Sequence, residues 1–260
     1  MMNRAREPRK SAPPSTVLGT PLRAPQRGII DLPVENPRRA VLLDAYGTLL
    51  EMHDPVPRLR GLLADAGHDH PEAVVAAALR EEIAFYRAHH DRGRDEASLA
   101  ELRRDCARVL AAALGGDAPP PAPLALMLVD SLRFSLHPDA LPALDALAAA
   151  GLPLAVVSNW DCGLPGVLAG LGVADRFAAV VVSAVVGVRK PEPAIFRRAL
   201  TALGVEPAAA LHCGDLAAAD CAGARRAGVR AVLLDRLGTA ADGPCPRIAT
   251  LAELPALACA

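Results

Sequence analysis

The stretch LLDAYGTLL, residues 42–50, decides how the chain folds. AVLLD at 40–44 is an apolar run too short for a helix. It ends on a single acid, and a Tyr, a Gly and a Thr follow. Asp44 is either an ordinary strand-end turn residue or the group that the strand exists to present. Four more runs have the same form: LPLAVVSNW (152–160), FAAVVVS (177–183), AALHCGD (209–215) and VRAVLLD (229–235). Helical stretches lie among them. PDALPALDALAAAG and PEPAIFRRALTALG each open on Pro with an acid and close on Gly, and AAADCAGARRAG is a third. Near-continuous Val, Leu and Ala mark strands buried on both faces, as in parallel sheets. Their alternation with helices predicts βαβ units and a doubly wound, Rossmann-like α/β core.

One segment breaks the alternation. Between Asp44 and the helix at 139–150 the chain reads as helices at 57–67, 71–90, 95–116 and 122–135, with no strand pattern. This predicts an inserted all-α cap domain over 54–136, with the core formed by 39–53 and 137–260. In a doubly wound sheet, ligands sit beyond the carboxyl ends of the strands. An insertion leaving from the first of those ends is placed to be a lid.

Composition narrows the class of protein. The chain has 260 residues, 52% of them hydrophobic and 22% charged, which is globular. A net charge of -1 gives no reason to expect nucleic acid or an anionic membrane as partner. No apolar stretch approaches the ~20 residues needed to span a bilayer. None of the six cysteines stands in a CxxC pair or at zinc spacing, so they read as reduced, mostly buried thiols in a cytoplasmic protein. Residues 1–38 are rich in Pro and Arg and carry no apolar stretch of a secretory signal, which predicts a disordered tail.

The polar groups at the strand ends form a set. Asp44 follows the first strand, Ser158 and Asn159 the second, Lys190 the third, and Asp215 the fourth; Asp220 comes five residues later. Three carboxylates in one crevice repel unless a proton or cation intervenes. Mg²⁺ suits a site with few protein oxygens and a phosphate. Lys190 supplies a point charge for a phosphoryl oxygen. Ser158 offers a hydroxyl at a strand-to-helix junction, where free backbone N–H groups also meet an anion. Other polar groups read as structural. Asp161 is expected to cap the following helix, and His89, His90 and Asp91 to form a solvated helix end. Trp160, the only Trp, walls the crevice or packs under the cap.

The segments DAYGTLL, VVSNW, GVRKPEPAIF and HCGDLAAADCAGARRAGV, in that order, resemble the four motifs of the haloacid dehalogenase-like hydrolase superfamily. The similarity runs from about Arg39 to Asp235 and points to the branch with a helical cap after the first motif. It implies that Asp44 is a nucleophile that also touches Mg²⁺, and that Tyr46 offers its backbone carbonyl to the metal. It implies that Ser158 and Asn159 hold the transferring phosphoryl group and that Lys190 neutralises it. Asp215 would ligate the metal, and Asp220 would ligate it or orient a water or Lys190. Phosphatases of the family usually carry a second Asp where this chain has Tyr46, whereas its 2-haloacid dehalogenases carry the string DAYGTL. Three expectations follow. The first is a Mg²⁺-dependent phosphatase acting on a small phosphorylated metabolite through an aspartyl-phosphate. The second is a metal-independent 2-haloacid dehalogenase using the same Asp44. The third is a non-catalytic binder of phosphate or metal. Monomer and homodimer are both open.

Overall fold

The computed structural model describes residues 39–241, 243 and 245–260. The tail expected at 1–38 lies outside the described residues. The chain opens with β1 (Ala40–Leu43) and β2 (Leu50–Met52). Four helices follow, α1 (Val56–Asp65), α2 (Glu72–His89), α3 (Glu96–Leu114) and α4 (Pro121–Ser131), then β3 (Phe134–Leu136). The alternating part runs α5 (Ala140–Ala149), β4 (Leu154–Ser158), α6 (Leu164–Gly170), β5 (Ala179–Val182), α7 (Ser183–Val186) and α8 (Pro193–Leu203). It ends with β6 (Ala210–Gly214), α9 (Ala222–Arg226), β7 (Arg230–Leu234), β8 (Arg247–Ile248) and α10 (Leu254–Cys259).

Six strands form one sheet in the order β5-β4-β1-β6-β7-β8, and every pairing is parallel. The apolar run of β1 has a packing reason. Val41 and Leu43 join one buried cluster with Leu144 and Leu147 of α5, Leu168 of α6 and Leu254 of α10. Ala40 and Leu42 join the opposite cluster with Ile195, Phe196 and Leu200 of α8. Both faces are covered, so no position on the strand tolerates a polar residue. Each fully buried leucine contributes about 1.5–3 kcal/mol. Local signals fix the helices: α8 has Pro193 in its first turn and ends at Gly204 in the left-handed region.

The chain builds from β1 outward through β4 and β5, then returns to β6 on the other side of β1. In doubly wound sheets such a reversal point is where ligands bind, beyond the carboxyl ends of the strands, here that of β1.

Helices α1 to α4 bury their own cluster, including Leu59, Leu63, Leu79, Leu102, Leu110 and Leu124. This helical unit leaves and rejoins the sheet layer through an antiparallel ribbon that pairs Leu50 with Leu136 and Met52 with Phe134. Here the structure departs from the sequence pattern. The expected helix over 122–135 stops at Ser131, Leu132 turns extended, and Phe134–Leu136 becomes β3. Pairing with β2, some eighty positions upstream in the chain, takes the place of the last helical turn. Among the described residues, no helix is long and apolar enough to cross a membrane.

Candidate active site

Asp44 extends the ladder of β1, its N–H donating to Cys213 O at 2.9 Å, so its side chain leaves the sheet beside the end of β6. The carboxylate is buried. Three donors converge on Oδ1: the Ala45 N–H at 2.7 Å, the Ser158 hydroxyl at 3.0 Å and Lys190 Nζ at 2.7 Å. Ser158 is the last residue of β4, the strand beside β1.

Lys190 is buried and reaches two carboxylates at once, Asp44 Oδ1 and Asp220 Oδ1, each at 2.7 Å. Its backbone is held by one side chain. Asn159 Oδ1 accepts the Lys190 N–H at 2.7 Å, and Asn159 Nδ2 donates to the Lys190 carbonyl at 3.0 Å. Burial works against the charged amine, but the two carboxylates outweigh it and hold its pKa above the ordinary lysine value.

Asp220 is more fully satisfied than sequence spacing suggests. Oδ1 also meets His212 Nε2 at 2.9 Å, and Oδ2 accepts the Leu216 N–H at 3.0 Å. The residue sits in a π-helical turn, Ala217–Cys221, where a normal helix start was expected. The wider turn brings the Asp220 side chain back under Gly214. A Cβ at Gly214 would lie 2.1 Å from Asp220 Cγ, so only glycine fits. Burial opposes the Asp220 charge, yet Lys190 and His212 hold its carboxyl well below the usual carboxylate range. For Asp44, burial wins over Lys190, and its pKa is raised.

Asp215 follows β6. Its Oδ1 is buried and has no hydrogen-bond partner. Burial first, then the charges of Asp44 and Asp220, push its pKa up to about 7. The three acids offer oxygen atoms all within 4.8 Å of one another. One lysine against three carboxylates leaves surplus negative charge. A hard dication with oxygen ligands fits this donor set, and the unpartnered Asp215 oxygen is the observation that favours one. Gly47 makes the close approach possible. It has a φ of +82°, and a Cβ there would stand 2.4 Å from Asp215 Oδ2.

Tyr46 projects past this cluster and is 40% exposed. Its edge faces Trp160 at 6.4 Å between centroids, and Trp160 in turn meets Phe134 of β3 at 5.4 Å. An aromatic strip thus runs from the loop after β1 to the ribbon under the helical unit, which gives Trp160 its place.

The structure therefore brings together Asp44, Ser158, Lys190, Asp215 and Asp220, with Asn159 bracing the lysine backbone. Asp161 does not bond the first amide of α6. Its Oδ1 accepts the Gly163 N–H at 2.7 Å and its Oδ2 the Tyr86 hydroxyl at 2.7 Å, so it ties α2 to the loop after β4. The expected solvated helix end at 89–91 is also corrected. His90 is buried, and Asp91 bonds Ser183 and Arg189 on the sheet layer. Its partners lie 92 and 98 positions away, so no local pattern marks it. His212 was missed because a His inside an apolar strand reads as packing, and only the turn at 217–221 reveals its partner.

A doubly wound parallel sheet with a buried carboxylate–lysine cluster beyond its reversal point defines a Rossmann-like α/β fold. The chain belongs to the haloacid dehalogenase-like hydrolase family, whose model matches residues 38–228. It is 44% identical over 108 residues to a phosphoserine phosphatase of Thermus thermophilus. That match covers 40% of this chain and 42% of the relative, less than half the length of either. Among solved structures, a 2-haloacid dehalogenase from Pseudomonas syringae pv. Tomato aligns with a TM-score of 0.61 and 26% identity, over 85% of this chain and 97% of the other. A HAD phosphatase from Thermococcus onnurineus aligns with a TM-score of 0.59 and 25% identity, over 84% and 97%.

Proposed function

We propose that the chain is a Mg²⁺-dependent phosphatase acting on a small phosphorylated substrate through an aspartyl-phosphate on Asp44. The observation that carries this reading is the buried, unpartnered Asp215 oxygen beside Asp44 and Asp220. Metal-independent displacement has no use for three crowded acids. Asp44, the Tyr46 carbonyl and Asp215 would hold the ion, with Asp220 behind them. When bound, the ion supplies charge neutralisation at the phosphoryl oxygens and at the carboxylates.

The residues divide the work. With Oδ1 of Asp44 held by Ala45, Ser158 and Lys190, its Oδ2 is the oxygen free to attack phosphorus. The P–O bond to the leaving group breaks as the Asp44–phosphorus bond forms. Water then attacks the same phosphorus, which releases inorganic phosphate and restores the carboxylate. Lys190 and Ser158 stabilise the charge on the transferring group. Asp220 with His212 fixes where the Lys190 amine points. The test is hydrolysis of p-nitrophenyl phosphate with Mg²⁺ and with EDTA, with Asp44→Asn as the blank. Turnover is expected with Mg²⁺ alone, and turnover insensitive to EDTA sinks the reading.

Tyr46 and the likeness to a protein named as a 2-haloacid dehalogenase favour a second reading, displacement of halide from a 2-haloacid by Asp44. Halide release from 2-chloropropionate tests it, and no release at any pH removes it. If neither substrate turns over while vanadate with Mg²⁺ still raises the melting temperature, the site binds without turning over.

A further inference from the structure

The 3-10 turn His90–Arg92 at the end of α2 brings one carboxylate of the helical unit onto the sheet layer. Asp91 Oδ1 accepts the Ser183 hydroxyl at 2.7 Å, and Oδ2 accepts Arg189 Nε at 2.6 Å. A second Arg189 nitrogen also pairs with Oδ2. His90 Nε2 lies 3.1 Å from Oδ1. Partial burial opposes the charge, but the bonds from Ser183 and Arg189 outweigh it and draw the Asp91 pKa down.

Both partners lead straight to the site. Ser183 accepts the Trp160 N–H at 3.2 Å, and the next amide, Ala184 N–H, donates to the Trp160 carbonyl at 3.2 Å. Trp160 follows Ser158 and Asn159 directly. Arg189 directly precedes Lys190, whose backbone Asn159 grips from the other side. One carboxylate thus joins the two segments that carry the serine, the asparagine and the lysine. Two further bonds from the helical unit reach the same loop: Tyr86 to Asp161 at 2.7 Å, and Cys162 N–H to the Gly93 carbonyl at 2.8 Å. As a partly exposed ion pair, Asp91 with Arg189 adds little to stability. What the geometry fixes is position. Lys190 must hold two carboxylate oxygens at 2.7 Å together, and a shift of about 1 Å in such a centre costs on the order of 100-fold in rate.

We infer that Asp91 is a positioning residue through which docking of the helical unit sets the placement of Lys190 and of the Ser158–Trp160 loop. This rests on the reading that Lys190 and Ser158 hold the transferring phosphoryl group. The experiment compares Asp91→Ala, Asp91→Asn, Arg189→Ala and the double variant Asp91→Ala/Arg189→Ala in the full chain. The assay is p-nitrophenyl phosphate with Mg²⁺. The expected result is a fall in kcat of roughly tenfold or more for Asp91→Ala, larger than any change in KM, with a melting temperature near that of the wild type. Asp91→Asn, which still accepts the Ser183 hydroxyl, recovers part of the loss. The double variant is no slower than the slower single variant, because both break one linkage. A folded Asp91→Ala with kcat within about twofold of wild type overturns the inference, as do effects that multiply in the double variant. Should the wild type hydrolyse no phosphate ester, the phosphatase reading fails by itself. Amide hydrogen exchange at 158–163 and 188–190 then decides the inference: faster exchange in Asp91→Ala supports it, and unchanged exchange overturns it.

Discussion

Tyr46 stands two positions past Asp44 and is exposed. A phenol is a poor general acid for a departing alkoxide near neutral pH compared with a carboxylic acid placed there. The two acids that tie the helical unit to the sheet layer, Asp91 and Asp161, are both spent on structural bonds. Esters with good leaving groups are therefore expected to react much faster than alkyl esters. General acid catalysis is worth roughly 10²–10⁴-fold, so Tyr46→Asp should narrow the gap by about that factor. The ratio of kcat/KM for p-nitrophenyl phosphate over β-glycerophosphate measures it, and an unchanged ratio shows that proton supply is not the limit. Gly47 makes a second case at this scale. With a φ of +82° and Asp215 Oδ2 2.4 Å from where a Cβ would sit, Gly47→Ala must move either the loop or the carboxylate. On the Mg²⁺ reading the wild type is expected to melt higher with Mg²⁺, and Gly47→Ala is expected to lose that rise. A full rise in the variant would mean that Asp215 is not a ligand.

At the scale of elements, five of the six strands of the main sheet were legible because each is an apolar run, whereas β8, only Arg247–Ile248 with its Arg exposed, shows no such pattern. Asp44, Ser158 and Asp215 were legible with them, since each sits at or just past a strand end, whereas Lys190 lies beyond α7 and Asp220 inside the turn after Asp215, so neither follows its strand directly. β3 was not legible either. Phe134–Leu136 has too few residues to show a period of two, and its partner Leu50–Met52 is far away in sequence. The π-turn at 217–221 was hidden too, because an extra residue in a helical turn leaves the composition of a helix unchanged. In the sequence Asp91 has the look of a solvated helix end, since its meaning depends on where the helical unit docks. That docking depends on the unit keeping its shape. Leu102 of α3 is fully buried in the cluster shared by α1, α2, α3 and α4. Leu102→Ala should destabilise the chain by about 2–5 kcal/mol, read from urea unfolding. A cost below about 1 kcal/mol would mean that the cluster collapses around the gap and is loosely packed.

For the molecule as a whole, the crowded acids make stability depend on pH in a direction opposite to that of most carboxylates. Asp215 has a folded pKa of about 7 against an ordinary 3.8. Between about pH 4 and about pH 7 the folded chain therefore binds more protons than the unfolded chain, so this residue's contribution falls as pH rises through that window and is level above it. Acids held below 3.8, Asp139 and Asp220 among them, oppose this slope only below about pH 5, where their unfolded carboxyls finish titrating, while Asp44 and Glu82, whose pKa values burial raises, act in the same sense as Asp215. His137, lowered by burial and by Arg236, works the other way below its ordinary 6.5, so the total slope mixes opposing effects. Asp215→Asn isolates the one of interest. In EDTA the variant is expected to match the wild type near pH 4 and to melt higher near pH 7.5, since it no longer forces a charge beside Asp44 and Asp220. Added Mg²⁺ should reverse the order at pH 7.5, because binding to the folded form stabilises only the chain that keeps the ligand. Melting curves at the two pH values, with and without Mg²⁺, test both steps. A variant whose advantage in EDTA does not grow with pH would show that Asp215 already sheds its proton freely in the fold, and the electrostatic case for a cation at this cluster would go with it.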